Sequence, residues 1–299
     1  MTKFKNSSKF FFYKILKLIC FFSPEIATRI LYKRRLGKKL NLASPKTFNE
    51  KLQWLKLNRY KNNPLVTKCA DKYAVREYIK EKGLEHTLND LIGIWDNPED
   101  ITWEKLPHKF AMKCNHGAGY NIICNNKDKL NKKETQSILK KWMDEDYWIK
   151  TIELCYKNIE KKIICEKFIE TEDGSFPFDY KIFCFNGKAT FIMLCTQRET
   201  KKPKYFFVDK NWELLPYGLD FNDTNSFNKI KKPNNLNILF NYAERLAEPF
   251  PFVRADFYLD NEKIIFGELT FVPAAGYDDE LNNDSSNNID LEIGHLLKL

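Results

Sequence analysis

Patterns that bind zinc or form disulfides are missing from this sequence of 299 residues. Its eight cysteines contain no Cys-x-x-Cys motif. The four histidines are His86, His108, His116 and His295, and they are too scattered in sequence to predict a zinc site. Several cysteines lie in apolar strand-like runs, as in Ile163-Ile164-Cys165. We therefore expect buried free thiols in a reducing cytosol.

The sequence also lacks an apolar run of the roughly 20 residues that a bilayer-spanning helix requires. Residues 10–22 are apolar and aromatic, but Lys14 and Lys17 interrupt them and no small-residue cleavage site follows, so we expect neither a spanning helix nor a signal peptide. Residues 1–39 carry a net charge of +10, within a total of +9. The remainder is nearly neutral, which argues against a nucleic-acid partner, because such a partner requires a basic face on the folded domain.

The basic, aromatic N-terminus is typical of an interfacial amphipathic helix that is attracted to anionic lipid. A terminal helix docked on the domain, with its lysines in water, is the alternative interpretation.

Helices and hairpins are predicted in mixed order, which indicates an α+β fold without internal repeats. Thr47 and Glu50 have the spacing of a capping box that opens a helix, and Asn186-Gly187 predicts a tight hairpin. Further helices are expected over residues 64–82, 131–148 and 237–246, and strands over 110–114, 163–169, 180–185, 189–195 and 205–208.

Two glycines, Gly117 and Gly119, follow the strand predicted over residues 110–114. They would let backbone N–H groups approach a phosphate. The loop is not a Walker A motif, because no Gly-Lys-Ser/Thr follows. Taken alone, it is better explained as a plain hairpin turn.

Two short β-type runs near the C-terminus flank a turn at Asp260-Asn261. Because alternate strand residues share a face, a three-residue loop over 261–263 would place Asp256 opposite Glu268 and beside Arg254. Two facing carboxylates repel each other unless a cation lies between them, and their oxygens suit Mg²⁺ bound to a polyphosphate. A loop of two or four residues would put the carboxylates on opposite faces. A surface hairpin with solvated charges is the alternative.

Together these features resemble the ATP-grasp superfamily over about residues 71–276. A closer resemblance is to the TupA-like ATP-grasp proteins of bacterial surface-polysaccharide loci, which carry phrases such as those at 44–51, 70–76 and 267–276 of this chain. The last of these, Gly-Glu-Leu-Thr-Phe-Val-Pro-Ala-Ala-Gly, is the most specific.

The resemblance implies an ATP-grasp fold in which two α+β subdomains grip ATP, with a helical N-terminal extension. The expected domains are a basic, aromatic N-terminal helix (1–40), a helical region (41–105), a central subdomain with the glycine loop (106–170) and a C-terminal subdomain with the metal-binding hairpin (171–299).

The resemblance also implies a role for each matching residue. The implied ATP-binding residues are Lys72, Lys113, Gly117, Gly119, Glu166, Lys167, Phe168, Ile169 and Asp179. The implied catalytic residues are Lys181, Arg198, which would bind the acceptor carboxylate, and Arg254, which would stabilise developing charge. The implied Mg²⁺ ligands are Asp256, Glu268 and Thr270. Thr270 stands where the family usually has asparagine, so a hydroxyl would bind more weakly and the number of metal ions, one or two, stays open.

Each of these residues has a simpler interpretation. Taken singly, Lys113 and Lys181 are ordinary outward-facing strand lysines, but their joint placement with Asp256 and Glu268 favours phosphate binding.

The implied function is an ATP- and Mg²⁺-dependent carboxylate–amine ligase that acts through an acyl phosphate in capsule or cell-wall polysaccharide synthesis. Its expected substrates are a sugar acid or an amino acid, with lipid-linked oligosaccharide as a further partner. Its expected location is the cytoplasm, peripheral to the inner face of the plasma membrane. One alternative is a glycosyltransferase of the same pathway, which would require an Asp-x-Asp metal motif in a doubly wound domain. The other is a catalytically silent scaffold that binds nucleotide or polysaccharide.

Overall fold

The computed structural model describes residues 2–171, 176–198, 200, 202–279, 281 and 288–299. Within these residues the chain forms two antiparallel sheets and ten α-helices. The predicted α+β class is confirmed.

The N-terminal part is a pair of helices, α1 (Thr2–Phe22) and α2 (Pro24–Leu36). Ser23 caps α2 by accepting a hydrogen bond from the N–H of Ile26, and Gly37 ends the helix in the left-handed conformation. The two helices pack together around a small apolar core, which they share with Ile152 after Tyr147–Thr151 and with Ala275 and Tyr277 near the C-terminus.

Three short helices follow: α3 (Phe48–Leu55), α4 (Pro64–Ala70) and α5 (Val75–Glu81). The predicted capping box of Thr47 and Glu50 is confirmed. The helical region predicted over 64–82 consists of two helices, α4 and α5, because Asp71 interrupts it. The Asp71 carboxylate accepts hydrogen bonds from the N–H groups of Tyr73 and Ala74, which competes with helix continuation.

The first sheet has four strands in the order β1-β4-β2-β3: β1 (Leu91–Trp95), β2 (Phe110–Cys114), β3 (Asn121–Cys124) and β4 (Ile163–Lys167). Between β3 and β4 lie α6 (Lys132–Asp144) and α7 (Tyr147–Thr151), so the helix predicted over 131–148 is interrupted after Asp144. The strand predicted over 163–169 ends at Lys167.

The second sheet has five strands in the order β7-β6-β5-β8-β9: β5 (Asp179–Phe185), β6 (Lys188–Thr196), β7 (Lys204–Val208), β8 (Phe252–Asp260) and β9 (Lys263–Thr270). Asn186 and Gly187 both have positive φ and form the predicted tight turn between β5 and β6.

Three further helices belong to this half of the chain: α8 (Thr224–Phe227), α9 (Leu236–Ala247) and α10 (Ile289–Leu296). The helix predicted over 237–246 is confirmed as α9, which packs on β5, β6 and β8. The Cys184 thiol lies 3.8 Å from the Ala243 carbonyl oxygen, so α9 covers the face that carries Cys184. The opposite face of β5 carries Asp179 and Lys181.

The hairpin of β8 and β9 differs from its prediction in a specific way. Asp260 pairs with Lys263, so the loop has two residues rather than the expected three. A two-residue loop alone would put Asp256 and Glu268 on opposite faces. However, Phe257 pairs with Phe266 and Asp256 pairs with Glu268, which leaves one extra residue in β9 as a β-bulge. The bulge restores the predicted pairing of the carboxylates.

All eight cysteines are buried free thiols, as predicted. In the part of the chain that the structure describes, no helix combines the length and the apolarity needed to cross a bilayer.

Candidate active site

One face of the second sheet carries a row of charged side chains. Along β8, Arg254, Asp256 and Tyr258 alternate and so point the same way. On the neighbouring strands Lys181 and Glu268 both lie directly opposite Asp256. Five polar side chains therefore share one face at the middle of the sheet.

Asp256 is the buried centre of this row. Arg254 donates from Nε to Oδ1 (2.7 Å) and from Nη2 to Oδ2 (2.6 Å), a bidentate charge-assisted pair. The Lys181 ammonium lies 2.8 Å from Oδ2 of Asp256 and 2.5 Å from Oδ2 of Asp179. Burial alone would lower the pKa of Lys181, but the charges of Asp256, Asp179 and Glu268 together outweigh it and raise that pKa, so Lys181 is a cation.

Asp179 has one oxygen without a partner. Its Oδ2 binds Lys181, whereas its Oδ1 is buried and accepts no hydrogen bond from any residue in the described ranges. Burial raises the pKa of this carboxyl, although Lys181 opposes the shift. A buried oxygen of this kind requires a donor, such as a hydroxyl group of a bound ligand.

Glu268 is the carboxylate that reaches the cleft, since its side chain is 37% exposed whereas that of Asp256 is 2% exposed. The Lys72 ammonium lies 3.4 Å from Glu268 Oε2, and Arg254 Nη2 lies 3.9 Å from Oε1. Burial would raise the pKa of Glu268, but Lys72, Lys181 and Arg254 outweigh it and lower the pKa to about 2. Glu268 is therefore an anion at every physiological pH.

Thr270 connects two of these groups. Arg254 Nη2 donates to its hydroxyl oxygen (3.1 Å), and the hydroxyl in turn donates to Glu268 Oε1 (3.4 Å). Thr270 thus fixes the orientation of the guanidinium relative to the carboxylate.

The first sheet brings cations to the same place. Lys113 Nζ donates to Glu166 Oε2 (2.7 Å), and Arg76 Nη1 lies 3.6 Å from Glu166 Oε1. Lys72, which precedes α5, donates to the carbonyl oxygen of Gly117 (2.8 Å) and so connects the glycine loop to Glu268.

Two adjoining pockets lie between the sheets. The first, of about 190 Å³, has charged walls from both sheets and includes Lys72, Lys113, Lys181, Asp179, Asp256 and Glu268. The second, of about 100 Å³, is lined by the consecutive residues Glu166, Lys167, Phe168 and Ile169 with Ala111 and Phe176. Both are also lined by Lys113, Asn121, Arg198 and Tyr258, so they form one cleft with an apolar end and a charged end.

A third cavity, of about 470 Å³, lies on the same face of the second sheet, beyond Arg254. Its walls include Phe183 and Met193 from the sheet and Ala274 and Tyr277 from the segment after β9. Arg254 lines this cavity and at the same time holds Asp256 in the wall of the charged pocket. The guanidinium therefore lies at the junction of the cavity and the cleft. A group bound in the cavity would meet a group bound in the cleft at this junction.

A sequence model of TupA-like ATP-grasp proteins matches residues 50–298, which is most of the chain. The protein belongs to the TupA-like ATP-grasp family. The predicted family and the predicted enzyme class, an ATP-grasp ligase, are confirmed by this match, and no curated protein sequence matches the chain.

Among solved structures, this TupA-like protein resembles several ligases at low identity. D-alanine–D-alanine ligase from Bacillus anthracis in complex with ATP is 15% identical, with a TM-score of 0.43 over 77% of this chain and 68% of that chain. L-amino acid ligase from Bacillus licheniformis is 14% identical, with a TM-score of 0.44 over 84% and 55%. D-alanine–D-alanine ligase from Helicobacter pylori is 12% identical, with a TM-score of 0.41 over 85% and 68%. Likeness at this level transfers no activity.

Membership of the ATP-grasp family implies Mg²⁺ as a cofactor of this protein. Within the described ranges no three His, Cys, Asp or Glu side chains form a metal-binding group. Asp256 and Glu268 form a pair of carboxylates, of which Glu268 faces the cleft. Mg²⁺ is typically held by one or two carboxylates together with phosphate oxygens and water. The residues therefore fit an ion that arrives with a nucleotide, whereas they do not form a complete cage.

The structure brings together most of the residues predicted for the site. Asp179, Lys181, Lys72, Lys113, Gly119, Asp256 and Glu268 line the charged pocket, and Glu166 to Ile169 line the apolar one. Arg198 lines both pockets, with its guanidinium 5.2 Å from the centre of the Tyr258 ring. Gly117 lines neither pocket and lies against Tyr147 instead, since a Cβ at this position would lie 2.5 Å from the Tyr147 ring. The roles assigned to these residues, including Thr270 and Arg198, stay predictions.

Sequence reasoning missed two residues of the site, Asn121 and Tyr258. Tyr258 could have been found, because it follows Arg254 and Asp256 in the strand alternation. Asn121 carries no comparable local signal. For Arg76 the sequence left a solvated helix start and a nucleotide contact equally open, and the structure places its guanidinium 3.6 Å from Glu166.

The motif expected of a glycosyltransferase is absent from the cleft. The only Asp-x-Asp in the sequence is Asp144-Glu145-Asp146, which begins at the last residue of α6 and ends just before α7, and Asp146 accepts a hydrogen bond from Lys17 (2.8 Å). None of these three residues lines the cleft or the cavity.

Proposed function

We propose that this protein is an ATP- and Mg²⁺-dependent carboxylate–amine ligase that acts through an acyl phosphate in the synthesis of a bacterial surface polysaccharide. In this reaction a substrate carboxylate attacks the γ-phosphorus of ATP, the bond to the bridging oxygen breaks and ADP leaves. An amine then displaces the phosphate from the acyl carbon, giving an amide and inorganic phosphate.

One observation carries the proposal. Lys113 of the first sheet, Lys181 of the second sheet and Lys72 before α5 converge on a pocket whose carboxylates are Asp179, Asp256 and Glu268. Phosphoryl transfer needs little covalent help from a protein, but it needs positioned cations around the transferring group. The pocket supplies these cations on both sides of its volume.

The cleft has the polarity that a nucleoside triphosphate requires. Its apolar end, between Ala111 and Phe168, suits a base, and the backbone of 166–169 passes beside it. Its charged end suits the phosphates. The unpartnered oxygen of Asp179 suits a ribose hydroxyl as the donor that it lacks.

Arg254 has the position to act on the transferring group. It is buried between Asp256 in the cleft and the adjacent cavity, and its pKa is raised by Asp256, so its charge is permanent. A guanidinium that a carboxylate holds bidentately keeps one orientation. It can therefore stabilise negative charge that develops at one fixed point. The bound Mg²⁺ would neutralise phosphate charge beside Glu268.

The cavity beyond Arg254 is the proposed acceptor site, so Arg254 would face the acceptor carboxylate, whereas Arg198, to which the resemblance gave this role, lines the cleft and not this cavity. Its volume of about 470 Å³ and its aromatic walls suit a sugar acid or an amino acid. The resemblance to polysaccharide-locus proteins supports the pathway, and the buried free cysteines support a cytoplasmic location.

The test is release of ADP from MgATP in the presence of panels of uronic acids, amino acids and amines. We expect turnover that depends on both an acid and an amine, and hydroxylamine should trap the activated acid as a hydroxamate. Glu268→Gln should reduce turnover by about 10²-fold or more, since it removes a charge at the site of transfer. The matched control is Glu262→Gln, in the turn of the same hairpin, which should leave turnover unchanged.

Turnover that survives both Asp256→Asn and Glu268→Gln would refute the ligase proposal. Tight MgATP binding without turnover over the whole panel would instead favour the silent scaffold.

A further inference from the structure

Helix α1 is apolar on two faces, of which only one is covered. Leu16 and Cys20 are 1% and 3% exposed and pack against α2. Leu18, Phe21 and Phe22 are 64%, 79% and 84% exposed. A terminal helix docked on the domain with its lysines in water, the alternative interpretation, therefore explains only the buried face of α1. It does not explain why large apolar side chains face solvent as well.

The exposed side chains are neighbours rather than scattered. Leu18 and Phe22 are separated by one helical turn, and Ile15 (41% exposed) precedes Leu18 by three residues. The rings of Phe21 and Phe22 are in edge-to-face contact, with 5.7 Å between their centres. Contiguous exposed apolar groups of this kind mark an interaction surface, whereas single exposed ones do not.

A cationic cleft lies directly beside the apolar ridge formed by Ile15, Leu18, Phe21 and Phe22. It has a volume of about 300 Å³ and is lined by Phe21 and Trp148 with Lys61, Asn62, Lys157 and Asn158. Neither Lys61 nor Lys157 forms an ion pair with any residue that the structure describes. The Lys157 ammonium lies 5.3 Å from the centre of the Trp148 ring, at the wall of the cleft.

We propose that this end of α1 binds the surface of an anionic phospholipid bilayer. Leu18, Phe21 and Phe22 enter the boundary between headgroups and acyl chains, and Lys61 and Lys157 bind headgroup phosphate in the cleft. The net charge of +10 over residues 1–39 gives the same preference at longer range. This inference does not depend on the ligase activity, because none of these residues lines the nucleotide cleft.

The structure decides how the test is designed. Deletion of α1 would also remove Leu16 and Cys20 from a packed core, so loss of binding by the truncated chain would be ambiguous. The double variant Phe21→Ser/Phe22→Ser keeps the packed face. Its matched control is Ile238→Ser/Leu299→Ser, at two exposed apolar side chains (46% and 42%) far along the chain.

The measurement is co-sedimentation of the full chain with vesicles of phosphatidylcholine, with or without phosphatidylglycerol. We expect wild type to partition onto the phosphatidylglycerol vesicles and the Phe21/Phe22 variant to lose at least about tenfold in partition coefficient, since two buried phenyl rings each contribute more than one decade at full insertion. The control variant should partition like wild type. Equal thermal stability of all variants confirms that they fold.

A second arm tests the cleft. Lys61→Glu/Lys157→Glu should reduce partition by about tenfold or more, because each lysine near an anionic surface contributes roughly fivefold. The matched control, Lys105→Glu/Lys133→Glu, has the same change in charge at exposed positions away from α1 and should cost less.

Two results would overturn the proposal. One is partition that is unchanged by the Phe21/Phe22 variant or equal on neutral and anionic vesicles. The other is light scattering that shows a dimer which the Phe21/Phe22 variant abolishes, since the ridge would then be an interface between two copies of the chain.

Discussion

Glu268 lies directly opposite Asp256 across β8 and β9, although the loop that joins these strands has only two residues. The pairing depends on Gly267, the extra residue of a β-bulge next to Glu268. Without the bulge, one carboxylate would face α9 and the other would face the cleft. A single unpaired residue in the ladder thus determines that both acids belong to one site.

Gly267 should therefore be sensitive to any side chain. A Cβ at this position would lie 3.0 Å from the carbonyl oxygen of Asp256 and 3.2 Å from the Tyr258 ring. We expect Gly267→Ala to lower the free energy of unfolding by about 1–3 kcal/mol and to weaken MgATP binding, because the strand must shift beside Glu268. Urea unfolding and calorimetric titration measure the two effects.

The control for this change is Gly37→Ala. Gly37 has a φ of 69° with open space around it, so alanine there costs about 1 kcal/mol of backbone strain without touching the cleft. Nucleotide affinity should stay at the wild-type value in Gly37→Ala. If Gly267→Ala also binds MgATP like wild type, the bulge does not position the carboxylates.

Local sequence signals predicted much of this architecture, whereas tertiary contacts did not leave such signals. The turn at Asn186-Gly187 and the cap at Thr47 follow from backbone preferences of the residues themselves, and both were predicted. The bulge at Gly267 was not, because an extra residue in a ladder depends on the partner strand. The pairing of Asp256 with Glu268 was predicted from a loop of three residues. The loop has two residues, and the extra residue of the bulge gives the same pairing.

Ion pairs between segments that are distant in sequence could not be predicted either. Arg76 and Glu166 are 90 positions apart in sequence, and their ion pair forms only when the folded chain brings the Arg76 side chain within 3.6 Å of the Glu166 carboxylate. The helix break at Asp71 was missed because its carboxylate competes with the helix for backbone N–H groups, a choice that apolar periodicity does not reveal.

Glu268 should make stability depend on pH in the acid range. Its pKa falls from 4.5 to about 2 on folding, so its favourable contribution is complete above pH 4.5 and is lost as the pH falls toward 2. We expect the difference in unfolding free energy between wild type and Glu268→Gln to shrink over this interval. Urea unfolding at a series of pH values measures it, and a difference that is constant with pH would contradict the charge environment described for Glu268.

Arg254→Lys should separate charge from geometry. Lysine keeps the positive charge but cannot donate to both oxygens of Asp256 and to Thr270 together. We expect kcat to fall by about 10²-fold, with a much smaller change in the KM for ATP, because the orientation matters most in the transition state. Steady-state kinetics check this, and a fall confined to the KM for ATP would assign Arg254 to ground-state binding.

The segment after β9 holds backbone strain beside the cavity proposed as the acceptor site. Ala274 and Ala275 have φ values of 47° and 55°, and Gln53 donates from Nε2 to the carbonyl oxygens of Ala275 (3.0 Å) and Gly276 (2.6 Å). We expect Ala274→Gly to stabilise the protein by up to about 1 kcal/mol, since glycine adopts this conformation without steric cost and the Ala274 side chain is exposed.

Gln53→Leu should have the opposite effect. It leaves two carbonyl oxygens without their donor and should cost about 2 kcal/mol. Thermal unfolding of the two variants measures both changes. Destabilisation by Ala274→Gly would show that the left-handed turn is not strained.

The most direct test of the central claim is calorimetric titration of a non-hydrolysable ATP analogue into wild type and Glu268→Gln, with and without Mg²⁺. We expect Mg²⁺ to strengthen binding to wild type, and we expect this gain to be largely lost in Glu268→Gln and kept in Glu262→Gln. An analogue that binds wild type and Glu268→Gln equally, with the same response to Mg²⁺, would contradict the assignment of the cleft between the two sheets as the nucleotide site.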